Sequence, residues 1–402
     1  MKLSARSIIF GMFIWFFIGT GVVELFPVLS PMKYLPDICI VVLLLCGKKN
    51  TIGQSYNPFS RIILCALFLE TLVSYWLHYE NWFYYVWGLR NLFRFFLYLH
   101  VCIRFLKKSD FAVLCKITLA FLLVNTPIMF YQGAIMKLFG DNVGGLFGTV
   151  TGANGYTNIH LVLSTIIAVT LYSKRNISIV YLLTIFLCCF LQAALSELKF
   201  YYVEFVVIVV GCFLFSKEKQ RLTPLFWLSI IVLMIGVLLI NYFYPSYESF
   251  FNFDTMMEYS ERSYGSRNAG IDRTTALPII KMNFLSETKD FLLGIGLGNA
   301  EYTQLYTPDF IARFGYFRIY FFSHAMLFLE TGIIGIVLYA LFFINYLVSR
   351  FPQRNKMQDL VGMSLIPLIF CICVYNQSMR IESAFLVYTF LAMPYARDEV
   401  EQ

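Results

Sequence analysis

Residues 323–348 read SHAMLFLETGIIGIVLYALFFINYLV and contain a single acid, Glu330, and a single histidine, His324. About 20 mostly apolar residues suffice for a helix to cross a hydrocarbon core of roughly 30 Å. This stretch is long enough, and the pattern recurs on both sides of it. Twelve candidate spans result: Ser7–Leu25, Tyr34–Cys46, Arg61–Tyr79, Phe83–Leu106, Phe111–Tyr131, Thr157–Ser173, Ile177–Leu195, Phe200–Phe215, Thr223–Phe243, Ser323–Val348, Asp359–Asn376 and Glu382–Tyr395. The second and twelfth are short, and the seventh and eighth demand a tight turn at Ser196–Lys199. The expected fold class is an all-α polytopic membrane protein. Residues 1–402 form one integral membrane domain of about twelve transmembrane helices, with a single large loop, residues 244–322, between spans nine and ten.

Composition agrees with that class. Of the 402 residues, 59% are hydrophobic and 14% charged, and the mean hydropathy is +0.69. Soluble domains average roughly 45–50% apolar and about 25% charged, so a soluble globule is excluded. Aromatic residues make up 18%, with 42 Phe and 27 Tyr, which suits lipid-facing surfaces and interfacial belts. The net charge of +7 does not imply nucleic acid, because most of the bases lie in short loops between spans. The ten cysteines, Cys39, Cys46, Cys65, Cys102, Cys115, Cys188, Cys189, Cys212, Cys371 and Cys373, all fall in apolar runs and read as small fillers. No disulfide framework or zinc site is expected. Lys2 and Arg6 ahead of an apolar run imitate a signal peptide. Without a clear small-residue cleavage site, that run reads as the first span.

Lys and Arg set the orientation. With the N-terminus in the cytoplasm, the cytoplasmic loops hold Lys2, Arg6, Lys48, Lys49, Arg61, Arg104, Lys107, Lys108, Lys174, Arg175, Lys217, Lys219, Arg221, Arg350, Arg354, Lys356 and Arg397. The opposite short loops hold only Lys33, Lys137, Lys199 and Arg380. Both termini are therefore expected in the cytoplasm and the long loop outside. That loop carries Arg262, Arg267, Arg273, Lys281, Lys289, Arg313 and Arg318, on the side usually poor in cations. It is either a solvated surface or an anion site. Asp272 reads as the N-cap of a helix through Pro278 and Lys281, and Phe291–Leu297 is apolar enough for the interface.

Charges inside spans are costly, so each is a functional candidate beside a structural explanation. Arg90 and Arg94 lie four apart, on one face of the fourth span in its outer half. They either pair with Asp37, Glu70 or Glu204 or grip an anionic head group. Lys199 opens the eighth span at the outer surface, where snorkelling alone accounts for it. His324 opens the tenth span directly after the cationic loop. A helix N-terminus and nearby arginines favour a neutral imidazole, which suits a general base acting on a hydroxyl. The plainer alternative is an interfacial histidine without a chemical task, as His78, His100 and His160 read. Gly294-x-Gly296-x-Gly298-Asn299 imitates a phosphate loop, but it has neither a preceding strand nor dinucleotide spacing and reads as a flexible turn. A second Gly-rich stretch, Gly144 to Gly155, either lines a polar cavity with its amides or is simply a flexible loop.

Three stretches carry a resemblance. They are Leu146-Phe-Gly-Thr-Val-Thr-Gly-Ala-Asn154, Arg273 with its apolar helix and Gly294-Ile-Gly296-Leu-Gly298, and Ser323-His324 leading to Glu330-Thr-Gly332-Ile-Ile-Gly335. In order and placement they resemble the bacterial O-antigen polymerase and O-antigen ligase superfamily, integral glycosyltransferases of the GT-C type. The resemblance covers most of the chain in layout. It implies a glycan donor on undecaprenyl diphosphate, presented from the outer leaflet. It makes Arg273 the contact to the diphosphate and His324 the group that activates the acceptor hydroxyl. Asn154, in the first of the three stretches, and Arg267, Arg90 and Arg94 are further candidates for substrate contact. The family places a second arginine before the loop where this chain has Lys199, which keeps the charge and loses the bidentate fork.

No carboxylate cluster with metal-ligand spacing occurs in the loop, so transfer without metal or cofactor is the simpler expectation. The expected function is a polysaccharide polymerase at the bacterial inner membrane. It would act on undecaprenyl-diphosphate-linked glycans, among membrane lipids and alongside a chain-length-regulating co-polymerase. An O-antigen ligase, with the same donor and a lipid A-core acceptor, is the alternative. A transporter would show an internal repeat, which the single oversized loop breaks.

Overall fold

The computed structural model describes residues 4–46, 57–78, 81–138, 140–227, 229–230, 271–301 and 306–398. The described residues form an α-helical bundle without named strands. Its helices are α1 (Ala5–Leu25), α2 (Leu35–Cys46), α3 (Pro58–His78), α4 (Trp82–Phe105), α5 (Asp110–Phe130), α6 (Ala153–Ser173), α7 (Ile179–Leu195) and α8 (Phe200–Phe215). After the long loop come α9 (Ala276–Asn283), α10 (Thr288–Leu293), α11 (Asp309–Phe314), α12 (Ser323–Arg350), α13 (Met357–Tyr375) and α14 (Ala384–Ala392). Seven of the described helices are long and apolar enough to cross a membrane, so the chain is a multi-pass membrane protein. Most of the ninth expected span, and Arg262 and Arg267, lie outside the described residues.

The apolar runs foretell these helices to within a few residues. The second span lengthens because a 3-10 turn over Pro27–Tyr34 leads into α2. The fifth continues beyond α5 through a π turn at Tyr131–Ile135. The Ser196–Lys199 turn is as tight as expected. Glu197 takes φ +52, and the Leu198 amide donates to the Ala193 carbonyl at 2.8 Å. α6 is the most enclosed span, and its polar residues Thr157, Asn158, His160, Ser164 and Thr165 all face protein. That placement explains why a fairly polar sequence forms a central helix.

α12 is broken. Gly332 adopts φ +59 and ψ −162, outside any helical region. A break frees carbonyls that would otherwise accept from the next turn. The Ile295 amide donates to the Leu329 carbonyl at 2.8 Å, and the Gly296 amide to the Glu330 carbonyl at 3.2 Å. The Gly298 amide donates to the Glu330 carboxylate at 3.0 Å. The Gly294–Gly298 segment is thus a wedge closing the helix break, rather than the flexible interfacial turn its composition suggests. A Cβ on Gly298 would strike the Tyr84 carbonyl of α4, and one on Gly294 would strike the Glu330 backbone, so bulk is excluded at both.

Candidate functional site

The C-terminal end of α13 organises the site. The last carbonyls of any α-helix have no partner within it and carry the negative end of its dipole. Here three side chains satisfy them. His324 Nδ1 donates to the Cys373 carbonyl at 3.0 Å, Arg273 Nε to the Tyr375 carbonyl at 3.1 Å, and Ser323 Oγ to the Asn376 carbonyl at 2.8 Å. A carbonyl only accepts, so Nδ1 carries a proton in this contact. The ring also bonds the Arg273 backbone. His324 therefore sits at the start of its own helix but faces the opposite pole of a neighbour, which the sequence did not reveal.

Aromatic rings pack this junction. The Arg273 guanidinium lies 4.8 Å from the Tyr375 ring and 5.8 Å from that of Phe322. Tyr375 stacks on Phe200 at 4.4 Å, which places Phe200, and Lys199 just before it at the start of α8, beside the group. Arg273 is positioned by Asp272, whose Oδ1 accepts from the amides of Thr274 at 2.7 Å and Thr275 at 2.6 Å. Asp272 thus caps the turn leading into α9 rather than the helix itself, which starts at Ala276 with Thr275 as its N-cap. Burial pushes the Asp272 carboxyl up, but the Thr275 and Thr274 donors outweigh it and hold the group below the usual carboxylate range.

A cavity of about 160 Å³ opens between α4, α12 and α13, lined by His324, Arg380, Asn91, Leu327, Tyr339 and Tyr388 among others. Its wall is predominantly apolar. Arg273 lies outside that wall, against Tyr375 and Phe322. The structure brings His324 and Arg273 to one helix end without placing both in one cavity.

The expected intramembrane cations are internally paired. Arg90 Nε donates to Asp37 at 3.0 Å, and its Nη1 to Asn91 at 2.7 Å. Of the three acids foreseen as partners, Asp37 is the one used. Arg94 goes instead to Glu382 at 3.0 Å and to the Arg380 carbonyl at 3.0 Å, and Tyr156 donates to the same Glu382 at 2.9 Å. Glu204 accepts from Asn158 at 3.1 Å. Arg380 bridges Glu330, at 2.8 Å, and Glu301. Charge at this end of the bundle is thus held in pairs and triads that also fix the 376–383 loop.

Asn154 lies at the start of α6 and bonds Asp141 rather than the α13 end. The Gly-rich stretch around it is clamped. Gln132 brackets Gly145 through both its N–H, at 2.7 Å, and its carbonyl, at 3.1 Å. The Leu146 amide goes to Asn125 at 2.7 Å and the Thr149 amide to Glu24 at 2.6 Å. These amides serve the fold and are spent on side chains of the chain itself. Sequence reasoning used Arg380 only for orientation and Glu330 only as part of the resemblance, and gave Glu301 and Glu382 no role. The rule applied to Arg90 and Arg94, that charge within an apolar run needs a partner, would have found Glu330 and Glu382.

Among the described residues no group of three or more His, Cys, Asp or Glu side chains stands at metal-ligand spacing. The described residues define the class: an α-helical, multi-pass membrane protein whose longest described helix is broken beside a buried ionic cluster. No protein-family model matches this chain, and no curated protein does.

Proposed function

We propose that this chain is an integral membrane glycosyltransferase, a polysaccharide polymerase of about twelve spans with both termini in the cytoplasm. It moves a growing glycan from undecaprenyl diphosphate to a hydroxyl of the next lipid-linked repeat unit at the outer face of a bacterial inner membrane. The observation that carries this reading is the convergence of His324 and Arg273 on the C-terminal end of α13. The resemblance of the Ser323–Gly335 and Arg273–Gly298 stretches to the O-antigen polymerase and ligase superfamily supports it.

The chemistry follows from those two side chains. The acceptor hydroxyl replaces the Arg273 backbone at His324 and gives its proton to Nε2. Its oxygen forms a bond to the anomeric carbon while the bond from that carbon to the diphosphate oxygen breaks. The electron pair leaves with the diphosphate, whose growing charge the Arg273 guanidinium stabilises. Nδ1, donating to the Cys373 carbonyl, holds the ring's tautomer and orientation. A positioned base contributes about 10²- to 10⁴-fold in such a step. Lys199, Arg90, Arg94, Asn154 and Arg267 are further candidates for substrate contact. Arg90 and Arg94 would have to exchange a carboxylate partner to serve.

The lipid-linked glycan that accumulates in cells lacking the protein tests the reading. Single repeat units are expected of a polymerase, and long unligated chains would assign the ligase reaction instead. No change in lipid-linked glycan would remove both.

A further inference from the structure

The other end of the bundle carries a second cationic site. α6 runs 21 residues from Ala153, beside the α13 end, to Ser173, about 30 Å at 1.5 Å per residue. α8 runs the same way, and beyond the two helix ends Lys174 meets Glu218 at 2.8 Å. There a cavity of about 490 Å³ is lined by Arg175, Gln220 and Arg221.

Both arginines are unusual. Arg175 takes φ +62 just after α6, where its amide returns to the Tyr172 carbonyl at 3.1 Å and that of Asn176 to Leu171 at 2.9 Å. Glycine is the usual residue at such a helix end, so an arginine accepts backbone strain to place its side chain at the cavity. The Arg221 guanidinium lies 4.4 Å from the Tyr172 ring, and among the described residues its buried Nη1 has no hydrogen-bond partner. A buried guanidinium N–H without an acceptor is costly and marks a group built to meet one. The nearby acid, Glu218, is already taken by Lys174. Two planar forks and an amide around an open cavity match the several oxygens of a phosphate better than a lone carboxylate. The helix that starts at residue 219 carries an exposed Trp227 about two turns in, a residue that favours the membrane–water boundary, so the cavity before it lies at headgroup level.

We infer that Arg175, Gln220 and Arg221 bind the phosphate of an anionic phospholipid headgroup at the face of the bundle opposite the His324 site. The inference is independent of the glycosyltransferase reading, since it uses none of that site's residues. Basic pockets between helices are the usual receptors for such headgroups.

The test uses the full-length protein purified in detergent. Thermal unfolding and lipid retention by native mass spectrometry are read after exposure to phosphatidylcholine vesicles, with or without equimolar phosphatidylglycerol. Phosphatidylglycerol should raise the unfolding temperature and remain bound, about tenfold more weakly in Arg175→Gln/Arg221→Gln. Arg221→Lys, which keeps the charge and loses the fork, guards against a folding defect and should fall between. Lys217→Gln/Lys219→Gln, outside the cavity, should retain the lipid fully. If that lysine pair loses as much as the arginine pair, or phosphatidylglycerol does nothing to the wild type, the site is overturned. Inorganic phosphate reproducing the whole shift alone would overturn the lipid as its source.

Discussion

Arg273 and His324 are joined through one helix end. Arg273 donates to the Tyr375 carbonyl at 3.1 Å and His324 to the Cys373 carbonyl at 3.0 Å, two residues apart on the last turn of α13. Each contact satisfies an orphan carbonyl, so both residues have a structural task besides the catalytic one proposed. The two tasks respond differently to substitution, and that difference makes the account testable.

Arg273→Lys keeps a cation near the negative end of α13 but loses the planar fork that both donates to Tyr375 and lies over its ring. Folding should be nearly unchanged, whereas transfer should fall at least about tenfold, because a diphosphate is recognised by geometry as well as charge. Rates with purified protein and lipid-linked donor check this. An unchanged rate would make Arg273 a helix cap only.

Arg94→Ala strands Glu382, whose other partner is the Tyr156 hydroxyl. Leaving a largely enclosed carboxylate unpaired should cost about 3 kcal/mol, while Arg94→Met combined with Glu382→Leu should cost much less than the sum of the single changes. Thermal unfolding of Arg94→Met, Glu382→Leu and the double variant in detergent reads the coupling. Additive losses would show that the pair contributes nothing jointly.

Gly332→Ala puts a Cβ into the Leu292 and Gly294 backbones at a φ and ψ that only glycine adopts comfortably. The strain alone should exceed about 1–3 kcal/mol, and the half-helix bearing His324 would shift with it. Loss of folded yield together with activity is the expected result. Wild-type yield and rate would mean that the break in α12 is dispensable.

Asp272 supplies a pH dependence outside the described spans. Its folded-state pKa lies below the ordinary aspartate value near about 3.9. Its contribution is therefore complete above that value and disappears as pH falls through the folded pKa. Asp272→Asn keeps an acceptor for the Thr274 and Thr275 amides and should show a shallower loss of stability in acid than the wild type. Asp272→Ala should lose about 1 kcal/mol at neutral pH as well. Parallel acid-unfolding curves for wild type and Asn variant would exclude this role.

Much of the architecture was legible because a span has to be an apolar run of fixed length. Ser323, Phe200 and Ser173 fall at helix ends where those runs begin or stop. α4 shows the limit of hydropathy: its 24 residues carry Arg90 and Arg94, and it is stable because Asp37 and Glu382 answer them. Only one of those partners was legible, since Glu382 lies 288 residues from Arg94. The Gly-rich stretches read as flexible because composition does not reveal the side chains, Gln132, Asn125 and Glu24, that clamp one of them. His324 was singled out by its position after the loop, and Arg273 by the resemblance. Their common anchor on α13 required the fold.

Transfer by purified His324→Gln and His324→Ala variants tests the central claim most directly. Glutamine can still donate to the Cys373 carbonyl but cannot accept a proton at neutral pH, so it should restore the unfolding temperature lost in the alanine variant. Both variants should extend a lipid-linked repeat unit at least about 100-fold more slowly than the wild type. A glutamine variant that builds chains at the wild-type rate would contradict the account.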